Sequence, residues 1–132
     1  MKKISTIKEF RKWRENISGS IGFIPTMGAL HEGHLSLVSE SNNTCENTIV
    51  SIYINPTQFA QGEDLDTYPQ TIKSDLDKLS NYKIDCVFLP GNTEMYPAGI
   101  NTGNYNNNLF NLLEGTSRPE FFKGVTTIVA KL

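Results

Sequence analysis

The chain has 132 residues, 38 % of them hydrophobic and 20 % charged, enough apolar material for one domain with its own core. It shows no basic leader with an apolar stretch and cleavage site, and no apolar run approaches the ~20 residues that span a bilayer, so it reads as soluble and cytoplasmic with no membrane partner. The net charge of −2 conceals a gap: no Lys or Arg falls between Arg14 and Lys73, while Glu15, Glu32, Glu40, Glu46, Glu63, Asp64 and Asp66 do, and without a basic stripe a nucleic-acid partner is excluded.

Residues Thr6 to Ile17 predict an amphipathic helix, with Ile7, Phe10, Trp13 and Ile17 at helical spacing and Lys8, Arg11, Lys12 and Arg14 on the wet side. Thr6 followed by Glu9 is a capping-box pattern, and Trp13 reads as core rather than as a ligand platform. Gly22 to Ile24 form a short buried strand whose ladder Pro25 is expected to end. A turn of small residues then leads into a helix beginning near Glu32 and fading around Asn42 to Asn43, with Leu35, Leu37 and Val38 as its apolar positions.

That junction of strand, tight turn and helix start is a natural anion site. The first helical turn leaves N–H groups unpaired and carries the positive end of the macrodipole. Gly28 and Gly33 let a bulky ligand come close to the backbone, and His31 and His34, three apart, can turn both rings to one side. An imidazole donates a hydrogen bond when neutral and gains charge when an anion is near, which suits it to phosphate. The plainer reading makes His31 a helix cap and His34 a partly buried surface residue.

Thr48 to Ile54, rich in β-branched residues and bounded by Asn and Pro, predicts a second buried strand, so the helix lies within a parallel, right-handed βαβ unit. Ligands of open α/β sheets collect outside the carboxyl ends of strands, which brings Asn55 and Gln58 toward the same turn, where neutral amides suit a small hydroxy acid. Glu63, Asp64 and Asp66 read as solvated loop charge rather than as a metal cluster. A helix is expected from about Pro69 to Asn81 with Ile72, Leu76 and Leu79 as its stripe, then a strand from Ile84 to Leu89 and a one-turn element at Glu94 to Pro97, where Met95 and Tyr96 pack. The Asn-rich stretch from Asn101 to Asn111 yields only a turn or a short edge strand, followed by a helical Leu109 to Leu113. Cys45 and Cys86 have neither a metal spacing nor a redox-pair spacing; Cys86 reads as core and Cys45 as a surface or loop thiol.

The run from Pro25 to His34 resembles the nucleotide-binding signature of the pantothenate synthetase (pantoate–β-alanine ligase) family, within the nucleotidyltransferase superfamily marked by His-x-Gly-His. Further blocks are similar to the family's: Val50 to Phe59, Glu63 to Thr71, Glu94 to Pro97 and Leu113 to Val125. The resemblance implies a Rossmann-like parallel α/β sheet, ATP held by Met27, Gly28, Ala29, Leu30, His31, Glu32, Gly33 and His34, and His34 as the catalytic residue. It also implies that Gln58 contacts pantoate and β-alanine, that Asn55 lies close to the pantoate, that Glu114 orients the incoming amine, and that Arg118 faces a carboxylate or phosphate. The chain departs from the family at Gln70, where a basic residue is usual, and at Glu120 and Phe121, where Gly-His is usual.

The activity implied is condensation of (R)-pantoate with β-alanine through a pantoyl adenylate, consuming ATP with Mg²⁺ and releasing AMP and pyrophosphate. The family implies that the segment from Gly124 to Leu132 is a helix entering a further strand, that 1–132 is one nucleotide- and pantoate-binding domain truncated at its C-terminal end, and that the complete enzyme is a homodimer. Two alternatives stay open: another nucleotidyltransferase of the same superfamily, and a nucleotide-binding fragment without turnover.

Overall fold

The computed structural model describes residues 1–56, 71–99, 125 and 128–132. The chain forms two compact units, Met1–Ile54 with Pro69–Gly91, and Asn55–Tyr68 with Asn92–Leu132.

In the first unit, β1 (Lys2–Ile4), β2 (Ile21–Thr26), β3 (Asn47–Ile52) and β4 (Cys86–Phe88) form a four-stranded parallel sheet in the order β1-β4-β3-β2. β1, too short to carry a periodic signal, is an addition to the predicted elements. Pro25 sits inside β2 opposite Ser51 rather than ending it. The reason lies in which way its nitrogen faces. The Thr26 carbonyl accepts from Tyr53 N–H, so Gly22, Ile24 and Thr26 turn toward β3 while Pro25 turns away, and no ladder bond is lost.

Helices α1 (Ile7–Glu15), α2 (Glu32–Thr44) and α3 (Ile72–Leu79) complete this unit. Thr6 caps α1 as its pattern predicts, its hydroxyl accepting from Glu9 N–H at 3.2 Å. No residue of α1 is fully buried. Phe10 instead lies with its ring centroid 4.7 Å from that of Phe88 and 5.9 Å from that of Trp13, which makes Trp13 the outer member of an aromatic row.

The other face of the sheet carries the main core. Ile24, Val50, Ile52 and Val87 from alternate strand positions meet Leu30, Leu35 and Val38 from the turn and α2, Leu79 from α3, and Ile84. α2 lies close against both β2 and β3: Ser41 is buried, Gly22 of β2 leaves no room for a Cβ beside its hydroxyl, and that hydroxyl is 2.7 Å from the one of Thr48 in β3. α3 begins at Ile72 behind Thr71, later than the predicted Pro69, which itself lies outside the described residues. Ile72, expected in the apolar stripe, is 45 % exposed, whereas Asp75 is buried. The helix is therefore turned so that a carboxylate faces inward. Cys86 is buried in the sheet, and burial pushes its thiol up to about 11, so it is an inert core residue.

In the second unit, α4 (Asn92–Met95) is one turn long and Met95 and Tyr96 are both buried. The ammonium of Lys131 lies 5.0 Å from the centroid of the Tyr96 ring, within cation–π range, and residues 128–131 are helical. Among the described residues no helix is long and apolar enough to cross a membrane.

Candidate nucleotide site

Sequence and geometry converge where β2 runs into α2. Thr26, the last residue of β2, donates its hydroxyl to the carbonyl of Ser51 at 2.9 Å and accepts from Gly28 N–H at 3.2 Å, fixing the exit of the chain from the sheet. Gly28 and Ala29 then adopt positive φ, 81° and 51°. A Cβ on Gly28 would lie 3.1 Å from an Asp75 oxygen and 3.3 Å from Ile52 Cγ2, so glycine here makes room for the protein's own interior. Leu30, buried at 2 % exposure, anchors the turn in the core.

α2 opens on a capping box made of two histidines. His31 Nδ1 accepts from Gly33 N–H at 3.0 Å, and His34 Nδ1 accepts from His31 N–H at 3.3 Å. A nitrogen that accepts cannot carry the proton, so both neutral rings hold it on Nε2. The ring centroids are 4.1 Å apart and inclined by 39°. Neither Nε2–H has a partner among the described residues. The plain reading of His31 as a cap and the functional reading are thus compatible, because capping with one nitrogen is what aims the other. Gly33 fits the same device: a Cβ there would meet His31 Cε1 at 2.8 Å.

Burial first, and His31 second, lower the pKa of His34 below the 6.5 of an ordinary imidazole, against a smaller opposing pull from Asp75. The folded state therefore favours neutral His34, and between its lowered pKa and 6.5 the unfolded chain binds more protons. Stability that is present above pH 6.5 is expected to be lost as the pH falls through that window. Urea titrations at a series of pH values check this, and His34→Gln should flatten the slope; an unchanged slope in that variant would assign the dependence to another group.

Of the residues singled out from sequence, Met27 to His34 are contiguous in this turn and helix start, with Met27 and Ala29 half-buried and His31, Glu32 and Gly33 exposed. Asn55, in the second unit, is fully buried, and its Oδ1 accepts from the Tyr96 hydroxyl at 2.7 Å. Gln58, Glu114 and Arg118 lie outside the described residues, as do Glu63, Asp64 and Asp66 and the departures at Gln70, Glu120 and Phe121. The reading of the sequence missed Asp75 and Lys78. Asp75 takes the N–H groups of Ala29 and Leu30 at 2.9 and 2.8 Å, and the Lys78 ammonium donates to Leu30 O at 2.6 Å. The Ala29 and Leu30 amides, just ahead of α2, are thus engaged from within. Each imidazole, its Nδ1 already accepting from the backbone, keeps Nε2 as its remaining ring nitrogen.

Residues 2–132 match the family described as Pantoate-beta-alanine ligase. The chain is 48 % identical over 122 residues to the pantothenate synthetase of Hyphomonas neptunium, covering 92 % of this chain and 41 % of that protein. It is also 48 % identical over 133 residues to the pantothenate synthetase of Neisseria meningitidis serogroup B, covering 100 % and 48 %. The solved pantoate-beta-alanine ligase of Francisella tularensis, described as complexed with beta-gamma ATP and beta-alanine, aligns with a TM-score of 0.90 at 39 % identity over 99 % of this chain and 51 % of that one. Pantothenate synthetase from Thermus thermophilus aligns with a TM-score of 0.86 at 39 % identity over 99 % and 47 %. The chain spans about half the length of these relatives. With its parallel Rossmann-like sheet and its His-x-Gly-His helix start, the chain belongs to the pantoate–β-alanine ligase family.

Proposed function

We propose that this chain supplies the ATP- and pantoate-binding part of a ligase that condenses (R)-pantoate with β-alanine, forming pantothenate and releasing AMP and pyrophosphate. The reading is carried by the two Nε2–H donors held at the head of α2, which suit the oxygens of a polyphosphate. Family membership supports the choice of acids, and the Francisella tularensis relative is described as complexed with beta-gamma ATP and beta-alanine.

In the first step a pantoate carboxylate oxygen attacks the α-phosphorus, and the bond to the β-phosphate breaks with its electron pair leaving on pyrophosphate. His34 donates a hydrogen bond where that negative charge grows, and His31 supports the neighbouring oxygens. Met27 to His34 form the nucleotide wall. Next, the β-alanine amine attacks the acyl carbon, AMP departs, and the amine loses a proton. Gln58 holds both acids, Asn55 lies near the pantoate, Glu114 orients the amine, and Arg118 faces a carboxylate or phosphate; these assignments rest on the family resemblance. Mg²⁺ bound with the nucleotide would supply neutralisation of phosphate charge, and no residue of this chain is assigned to it. Among the described residues no group of three or more His, Cys, Asp and Glu could hold a metal. The complete enzyme is taken to be a cytoplasmic homodimer that binds neither nucleic acid nor membrane.

The test is pyrophosphate release by the natural full-length protein. Release should require both ATP and pantoate, with pantothenate appearing when β-alanine is added. Release that ignores pantoate would turn the reading toward another nucleotidyltransferase. Because the chain covers about half of its relatives, the 132-residue stretch alone is expected to bind nucleotide without turning it over.

A further inference from the structure

Asp75 is the one buried charged side chain among the described residues, with 0 % exposure. A carboxylate in such a place needs strong donors. It has three: Ala29 N–H at 2.9 Å, Leu30 N–H at 2.8 Å and the Thr71 hydroxyl at 3.2 Å. Successive amides of a turn with left-handed residues form a concavity that attracts anions. Here a side chain from α3 already fills it.

The turn needs such support. Ala29 has φ of 51°, a region that side-chain-bearing residues avoid and that persists only where surroundings enforce it. One turn further along α3, Lys78 grips the carbonyl of Leu30 at 2.6 Å, so both polarities of the turn's backbone are held by the same helix. Leu30 immediately precedes His31, whose own N–H and ring complete the histidine cap.

The geometry points to Asp75 as a positioning residue: by occupying the anion nest of the Gly28–Leu30 turn from inside, it holds the left-handed Ala29 in place and thereby aims the histidine pair at the nucleotide. This rests on the reading of that pair as the ATP site. The turn is then a shaped wall, and phosphate recognition passes to the imidazoles.

In the natural full-length protein, Asp75→Asn should raise KM for ATP about tenfold and leave KM for β-alanine near its parent value, as expected when an aligned binding wall loosens. Amide exchange at Ala29 and Leu30 should accelerate roughly a hundredfold while the β3 amides stay protected. Ala29→Gly removes the left-handed penalty, so in that background the Asp75→Asn effect on KM for ATP should shrink to about threefold or less. Equal losses for every substrate, exchange at Ala29 and Leu30 as slow as in the parent, or an undiminished effect beside Ala29→Gly would each overturn the assignment. Should Asp75→Asn fail to fold, Lys78→Met is the second variant, expected to speed exchange at Leu30 and weaken ATP selectively; no change in either would count against the clamp. Nucleotide binding by the parent is measured alongside. A parent that binds no ATP would refute the functional reading, while the exchange rates would still judge Asp75.

Discussion

His34→Ala is expected to slow acyl-adenylate formation by about 10²- to 10³-fold, the usual cost of removing a preorganised donor from a site of growing negative charge. The expectation follows from how the ring is fixed. Its Nδ1 is occupied by His31 N–H, its neutral form is favoured by burial and by His31, and its Nε2–H is therefore held in one direction before any ligand arrives. Alanine also leaves His31 N–H without its acceptor, which should cost the start of α2 about 1 kcal/mol and leave the fold intact. His34→Gln separates the two effects, since an amide can accept from His31 N–H and still offer a donor; it should recover part of the rate. Single-turnover pyrophosphate release from the full-length protein is the measurement. A rate for the alanine variant within about threefold of the parent would remove His34 from this role.

Gly22→Ala is expected to destabilise the fold by about 3 kcal/mol, the sum of an overpacked contact and a broken buried hydrogen bond. A Cβ at Gly22 would stand 1.8 Å from Ser41 Oγ and 2.6 Å from Ser41 Cβ. Ser41 has little freedom to yield, being buried at 6 % exposure with its hydroxyl tied to Thr48. α2 would have to lift off β2, which also displaces the histidines at its head, so ATP affinity should fall together with stability. Urea denaturation of the single variant and of Gly22→Ala with Ser41→Gly checks the cause. The double variant should regain a large part of the loss, and a loss below about 1 kcal/mol in the single variant would mean that the helix can slide without strain.

Much of the sheet was legible because its signals are local. The β-branched run from Thr48 to Ile54, the Thr6 cap and the helix start at Glu32 announce themselves within a few residues, and β3, α1 and α2 lie where these signals put them. Their parallel pairing follows from a helix between two apolar strands. Asp75 carries no such signal. It stands among Lys73, Asp77 and Lys78 in a helix that reads as solvated on that side, and its burial is decided by amides 45 and 46 positions earlier. The same holds for the histidine cap: the spacing places both rings on one side, but which nitrogen faces the backbone depends on where the turn delivers His31. Pro25 was misread because a proline inside a strand is tolerated only when its nitrogen faces away from the neighbour, a matter of register that composition does not reveal.

The sheet order has a consequence for how the chain matures. Among the described residues β1 pairs only with β4, Lys2 lying opposite Cys86, so β1 has no berth until a strand far downstream has emerged. The β2-α2-β3 unit can assemble from neighbouring segments meanwhile, leaving β1 as a late arrival whose three pairings come at the highest loop-closure cost in the sheet. Changes that weaken β1 would therefore act at the last stage of assembly, prolonging the life of a species with an uncovered β4 margin and favouring self-association over completion.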